Sequence, residues 1–313
     1  MAVLDMVCLS EGFDLKALFE APFGEHAPGL RLLNPDEVAK PSAVRFALAH
    51  DPASDAFQRF PGLKLVCAWG AGVDGLVLHP GLPEGLAIKR MTDPAQAQMM
   101  AGFAAYYVTG WQRRMFDYPA LQARRVWAPL NWTLPQEFPV GLLGYGKMGA
   151  AIAGALAAMG FPVMAWASRA RREPQAEVLS GAKGFDRVIR ESAAVINVLP
   201  LTSETEGLLN ADVFVRMRDD AILIQLGRGE HVIEADLLAA LDAGRPAMAA
   251  IDVVREEPLP TDNPLWAHPR VMLTPHAAST ASDAGVARSV AEGIAAFEAG
   301  EVPVGLVERS RGY

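Results

Sequence analysis

The stretch Val140-Gly141-Leu142-Leu143-Gly144-Tyr145-Gly146-Lys147-Met148-Gly149 decides the fold. A short apolar run leads into glycines spaced as Gly-x-Gly-x-x-Gly, and an alanine-rich run continues to about Met159. The first part reads as a buried strand and the last as a close-packed helix. In such a unit the first glycine permits a tight turn, the second lets a pyrophosphate approach the backbone, and the third lets helix and strand pack closely. The anion then meets the helix N-terminus. A plain glycine-rich turn is the competing reading, and the strand before with the helix after weighs against it. Gly144, Tyr145, Gly146, Lys147, Met148 and Gly149 are therefore the expected dinucleotide-binding loop.

Around this loop, short apolar runs alternate with helical patterns. Strands are expected at Ala2 to Leu9, Val44 to Ala49 and Leu63 to Trp69. A second series covers Val140 to Leu143, Val163 to Ala167, Ala194 to Val198, Ala221 to Leu226, Met248 to Val253 and Val271 to Thr274. Alternation of this kind predicts an α/β protein with a doubly wound parallel sheet. Ala95 to Arg114 reads as a long helix, and Trp127 to Pro139, with its proline and tryptophan content, as a connector. Trp111 with Arg113 and Arg114 offers either a cation-π cluster or an ordinary packed face.

Composition narrows the class. The 313 residues suggest about two domains, and 51% hydrophobic with 20% charged residues is a globular balance. A net charge of -8 and a pI near 5.3 argue against a nucleic-acid surface. No apolar run is long enough to span a bilayer, and Asp5 with no preceding basic cluster argues against a signal peptide. Cys8 and Cys67 lie in apolar stretches and read as buried thiols of a reducing compartment, so a cytoplasmic protein is expected. His26, His50, His79, His231 and His268 lack ligand spacing and read as surface or hydrogen-bonding residues, with no metal expected.

The strand at Val163 should end where the adenosine ribose is read, a place where NAD enzymes offer an acid. Here stand Ala167, Ser168 and Arg169, then Arg171 and Arg172, with no acid before Glu173. Those cations suit the 2'-phosphate of NADP, so NADP(H) is preferred and NAD(H) is the alternative. A solvated basic turn is the competing reading. Further on, Arg228 between Gly227 and Gly229, the carboxylate of Glu257, and His276 in Thr274-Pro275-His276 form an ordered trio. An imidazole can protonate the alkoxide formed when a carbonyl accepts hydride. A carboxylate within reach favours the charged ring and fixes its orientation. The planar guanidinium of Arg228 suits a carboxylate or polarised carbonyl. Taken singly, each of the three reads as a solvated surface group.

These motifs, with Gly70-Ala71-Gly72-Val73-Asp74, Asn197-Val198-Leu199-Pro200, Thr205, Asp252 and the terminal Arg309-Ser310-Arg311-Gly312-Tyr313, resemble the D-isomer-specific 2-hydroxyacid dehydrogenase family, most closely its glyoxylate/hydroxypyruvate reductase A group. The resemblance covers most of the chain. It implies a Rossmann nucleotide domain at 97–281 and a smaller, flavodoxin-like substrate domain made of 1–96 and 282–313, with the active site in the cleft. It implies that Arg228 binds the substrate, His276 is the acid/base and Glu257 its partner. Asp252 would hold the nicotinamide amide, and Leu199, Pro200, Thr205, Leu226, Gly227 and Ala278 would line the cofactor. Trp69 and the backbone of Ala71, Gly72 and Val73 would meet the substrate, a small 2-oxo or 2-hydroxy acid; an ordinary strand-to-helix turn is the competing reading of that loop. The family's habit implies a homodimer through the nucleotide domain. The chain departs from the group's pattern at Gln225 and Gly227, where Asn and Ala are usual, and at Pro94 and Gly102. It also has Ala49 before His50 in place of a tryptophan, with Trp69 elsewhere. A bulkier 2-oxo acid is the alternative substrate, and a non-catalytic NADP(H)-sensing regulator the alternative function.

Overall fold

The computed structural model describes residues 3–309. It divides into two compact units: the chain up to Gln96 together with the segment from Thr280 onward, and Ala97–Ser279.

The first unit holds β1 (Leu4–Leu9), α1 (Leu15–His26), β2 (Leu30–Leu33), β3 (Phe46–Ala49), β4 (Leu65–Ala68), α2 (Asp74–Val77) and β5 (Ala87–Lys89). Its sheet is parallel in the order β2-β1-β3-β4-β5, the flavodoxin-like winding. Alternation along the strands sorts the core. Met6, Cys8, Phe46 and Leu48 face Phe19 and Phe23 of α1 together with Val286, Val290 and Ile294 of the returning helix Asp283–Glu298. Val7, Ala47, Ala49 and Val66 face Phe57, Phe60 and Leu76. The expected strands at Val44 and Leu63 begin about two residues late, while Ala2 and residues 310–313 lie outside the described residues. β2 and β5 are additions to the expected set; three or four residues with an arginine or lysine among them carry little pattern.

The long helix α3 (Pro94–Gln112) leads into the second unit. There follow α4 (Tyr118–Ala123), β6 (Val140–Leu143), α5 (Lys147–Ala158), β7 (Val163–Trp166), β8 (Arg171–Glu173), β9 (Ala176–Leu179) and α6 (Gly181–Glu191). The unit continues with β10 (Ala194–Asn197), α7 (Ala211–Phe214), β11 (Ile222–Gln225), α8 (Glu234–Asp242), β12 (Met248–Ile251) and β13 (Val271–Leu273). The sheet order is β13-β12-β11-β10-β6-β7-β9-β8, parallel throughout except for β8. Val140, Leu142 and Leu143 of β6 are completely buried, each worth about 1.5–3 kcal/mol of apolar burial. That burial on both faces is why β6 is a continuous apolar run and its bounds match the expectation.

Arg171 and Arg172 lie on an antiparallel edge strand paired with β9, an element absent from the expected strands. Charged edge strands resist pairing with other chains, so their polarity hides their strand character. Trp111 donates its indole N–H to the Asp220 carbonyl at 2.8 Å, and Arg113 covers Trp132 at 4.8 Å instead.

Candidate active site

Parallel register sets the ends of six strands level. Trp166 stands opposite Leu143, Leu143 opposite Asn197, Asn197 opposite Gln225, Gln225 opposite Ile251, and Ile251 opposite Leu273. The loops that leave these ends carry nearly all the residues expected in the nucleotide and catalytic sites. The winding reverses between β6 and β10, the switch point where open α/β sheets bind ligands.

At the end of β6 the chain turns with Gly144 at φ +102°, a conformation suited to glycine. A methyl group on Gly149 would lie 2.2 Å from the Gly144 carbonyl oxygen, whereas one on Gly146 would meet nothing within 4 Å. Gly149 is thus a packing glycine and Gly146 an open one. Helix α5 begins at Lys147 with no side-chain cap on Gly146, leaving first-turn N–H groups for an anion. These features fit a dinucleotide pyrophosphate. Beyond β7, Ser168, Arg169, Arg171 and Arg172 are exposed. Arg171 reaches back to donate to the Tyr145 carbonyl at 3.0 Å, lies 5.1 Å over the Tyr145 ring and pairs with Glu173 at 2.7 Å. One of its donors is therefore committed to holding the glycine turn and a second to Glu173. Leu199 is buried and Pro200 half-buried in the loop after β10, where Thr205 donates to the Pro200 carbonyl at 2.8 Å.

Arg228 follows β11 in half-buried surroundings, its Nη1 donating to the Gly227 carbonyl at 2.7 Å. Leu226 is buried beside it. Glu257 and His276 come from the loops after β12 and β13, and His276 Nδ1 meets Glu257 Oε2 at 2.9 Å. The other carboxylate oxygen of Glu257 accepts from the Val254 N–H at 3.2 Å. With Nδ1 donating to a carboxylate, Nε2 is the nitrogen that remains to meet a substrate. His276 has a φ of +51°, a strained region for a residue with a side chain.

Asp252 holds that strain in place. It is 3% exposed; its Oδ1 accepts from the Thr274 hydroxyl at 2.6 Å and the Ala277 N–H at 2.8 Å, and its Oδ2 from the Ala278 N–H at 3.0 Å. Its own carbonyl accepts from the His276 N–H at 2.8 Å. Hydrogen bonds to a charged group are worth about 1.5–3 kcal/mol each, so three outweigh the roughly 1–3 kcal/mol of a left-handed residue. The carboxylate expected to hold a nicotinamide amide is largely committed to the His276 turn. Tyr107 of α3, a residue without a sequence signal, lies beside this turn. Burial first, then Tyr106 and Asp252, push its hydroxyl above the usual tyrosine range, with a Thr274 hydrogen bond opposing.

In the first unit, Trp69 leaves β4 and stacks on His50 with ring centroids 4.4 Å apart, with Phe13 at 5.0 Å. Ala71 is half-buried, Gly72 exposed and Val73 buried in the following turn. Ala49 is 1% exposed inside β3, so its small size fits the core and does not enlarge a pocket. The basis offered for a bulkier substrate at that position falls away. Cys8 and Cys67 are buried, and burial pushes both thiols up to about 12. Among the described residues, no helix is long and apolar enough to cross a membrane, and no group of three or more His, Cys, Asp or Glu could hold a metal ion.

Residues 106–278 match the family model for the NAD binding domain of D-isomer specific 2-hydroxyacid dehydrogenases. The chain is 38% identical over 273 residues to glyoxylate/hydroxypyruvate reductase A of Klebsiella pneumoniae strain 342, covering 86% of this chain and 87% of that one. It is 39% identical over 256 residues to the enzyme of the same name from Salmonella paratyphi B, covering 80% and 82%. Among solved structures, a D-isomer specific 2-hydroxyacid dehydrogenase from Xanthobacter autotrophicus Py2 in complex with NADPH and MES superposes with a TM-score of 0.93 at 36% identity, covering all of both chains. An NADPH-dependent glyoxylate/hydroxypyruvate reductase from Sinorhizobium meliloti in complex with NADP and sulfate gives 0.91 at 30% identity, covering 99% of this chain and 100% of that one. With its strand-end loops in the order these chemistries require, the chain belongs to the D-isomer-specific 2-hydroxyacid dehydrogenase family, in its glyoxylate/hydroxypyruvate reductase A group.

Proposed function

We propose that the chain is an NADPH-dependent reductase of short 2-oxo acids, glyoxylate and hydroxypyruvate preferred, giving the D-2-hydroxy acid where a stereocentre forms. The observation that carries this reading is the His276 Nδ1 to Glu257 Oε2 contact at 2.9 Å, its two residues on the next two strand ends beyond that of Arg228.

NADPH, when bound, supplies the hydride that adds to C2. Arg228 holds the substrate carboxylate and polarises the carbonyl through its planar fork of donors. His276 delivers the proton from Nε2 to the oxygen on C2 as negative charge develops there. Glu257 keeps the ring turned so that Nε2 is presented. Both members of the pair are more than a third exposed, 48% and 39%, so the contact adds at most about 1 kcal/mol to stability. Its value is orientation. Asp252 holds the backbone from which the ring projects. Within the first unit, Trp69 and the N–H groups of Ala71 to Val73 are proposed as substrate contacts.

The open N-terminus of α5 and the Gly146 surface are assigned to the pyrophosphate. Ser168, Arg169, Arg171 and Arg172 are assigned to the 2'-phosphate, with Leu199, Pro200, Thr205, Leu226, Gly227, Asp252 and Ala278 along the rest of the cofactor. The acidic net charge of -8 fits small soluble substrates better than nucleic acid, and a cytoplasmic location goes with that chemistry. A spectrophotometric panel of NADPH and NADH against glyoxylate, hydroxypyruvate, pyruvate and phenylpyruvate tests the reading. Oxidation of NADPH by the two-carbon and three-carbon acids is expected. A clear NADH preference would overturn the assignment of Arg169 to Arg172, and tight NADPH binding without turnover of any acid would favour a redox-sensing regulator.

A homodimer is proposed through the second unit. Tyr106 of α3, Met115, Trp127 and Trp132 are exposed by 62%, 53%, 102% and 50%, a concentration of apolar surface that marks interaction sites. Sedimentation at micromolar concentration should give twice the chain mass, and Trp127→Glu with Tyr106→Glu should shift it toward the monomer. A monomeric parent protein would remove this assignment.

A further inference from the structure

We infer that His231, paired with Asn197 and Gln225, is a positioning residue that clamps the main chain of Arg228 and thereby sets carboxylate affinity. The inference rests on Arg228 being the carboxylate-binding group.

His231, Asn197 and Gln225 are each 0% exposed, uncommon for such polar side chains, and buried polar groups persist where they are hydrogen bonded. Their bonds converge on one residue. His231 Nδ1 accepts from the Arg228 N–H at 3.0 Å, and Gln225 Nε2 donates to the Arg228 carbonyl at 2.7 Å. The His231 N–H donates to the same carbonyl at 3.1 Å. Asn197 Nδ2 closes the set, reaching Gln225 Oε1 at 2.7 Å and His231 Nδ1 at 2.9 Å. Both polar atoms of the Arg228 backbone are thus held by the buried side chains of Gln225 and His231, which Asn197 of β10 in turn holds together.

The partners also assign the ring hydrogen. Two N–H donors point at Nδ1, while Nε2 faces the Pro200 carbonyl at 3.2 Å. Nδ1 must therefore be the acceptor and Nε2 must carry the hydrogen. In this tautomer the ring ties the Arg228 loop to the loop after β10. Gly227 is part of the same packing: a methyl group there would lie 2.8 Å from His231 Nδ1 and 2.9 Å from Asn197 Nδ2. The alanine usual in the group at this position would press on the clamp, which gives Gly227 a reason local to this chain. In sequence, His231 is a lone histidine in a polar loop and carries no signal of this role.

His231→Phe removes all three bonds of the ring, His231→Asn keeps an acceptor near the place of Nδ1, and Gly227→Ala pushes on the clamp from outside. The probes are glyoxylate KM, kcat, inhibition by the unreactive carboxylate oxamate, and NADPH Kd by fluorescence. Loss of the one hydrogen bond between the ring and Arg228 raises KM and the oxamate inhibition constant together by roughly tenfold in His231→Phe. His231→Asn recovers a substantial part of that loss, Gly227→Ala shows a smaller rise in KM, and NADPH Kd stays within about twofold in the two His231 variants. If His231→Phe does not fold, the other two variants decide alone. The inference is overturned if both keep parental KM and oxamate inhibition, or if NADPH affinity falls in step with carboxylate affinity in the His231 variants. Arg228→Gln separates the two levels of argument: unchanged oxamate inhibition there sinks the role of Arg228, while a loss there with unaffected His231 and Gly227 variants sinks only the clamp.

Discussion

Two strand ends of one sheet solve opposite problems. After β6 the backbone is left open: Gly146 is exposed with space around it, and α5 begins without a side-chain cap. After β11, β12 and β13 the backbone is tied down, with buried Gln225, His231 and Asp252 occupying the polar atoms of the Arg228 and His276 loops. The difference fits what each end is proposed to bind. A phosphate is recognised by donors that the protein has not already satisfied, whereas a reacting carbonyl requires a few side chains held within fractions of an ångström. Open backbone and fixed side chains cannot share a loop, so they occupy different strand ends.

The largest test of that division is His276→Ala. If the β13 end serves chemistry and the β6 end serves binding, kcat for glyoxylate falls by about 10²–10⁴, the usual contribution of a positioned acid or base. NADPH Kd, read by fluorescence, stays near the parental value. Turnover close to that of the parent protein would take His276 out of the reaction. A matching collapse of NADPH affinity would show that the two ends are not separable.

The same division explains what was legible in the sequence. The open end is written in glycines, whose pattern follows from backbone geometry, so Val140 to Gly149 could be read residue by residue. Arg228, Glu257 and His276 stood out as candidates because few other residue types could do the proposed work. What fixes them did not: His231, Gln225 and Asn197 are completely buried, yet a buried polar side chain and a solvated one are written with the same letter. Burial is a property of the sheet's packing, which no local window contains. Asp252 was noticed, but its commitment to the His276 turn depends on Thr274, Ala277 and Ala278 returning to it from another strand. The strand character of Arg171 and Arg172 was hidden as well, since a charged edge strand paired with β9 carries no apolar alternation.

A smaller effect sharpens the comparison at its other side. Gly146 has φ near -85° and ψ near -159°, extended backbone that alanine adopts readily, and its added methyl group would meet nothing within 4 Å. Gly146→Ala should therefore leave the midpoint of thermal unfolding within about 2 °C of the parent, since a surface change without a clash costs about 0.5 kcal/mol at most. The methyl group would nevertheless occupy space assigned to the pyrophosphate, so NADPH Kd should rise by roughly tenfold, about 1.4 kcal/mol. At saturating NADPH, kcat should remain near parental because the β11 to β13 loops are untouched. The glycine three residues on makes the control, since alanine at Gly149 would drive into the Gly144 carbonyl at 2.2 Å and lower stability as well as affinity. If Gly146→Ala binds NADPH as the parent does, the open surface of the β6 turn is not where the phosphates lie. If instead it loses stability like Gly149→Ala, its openness is not what the turn is built to provide.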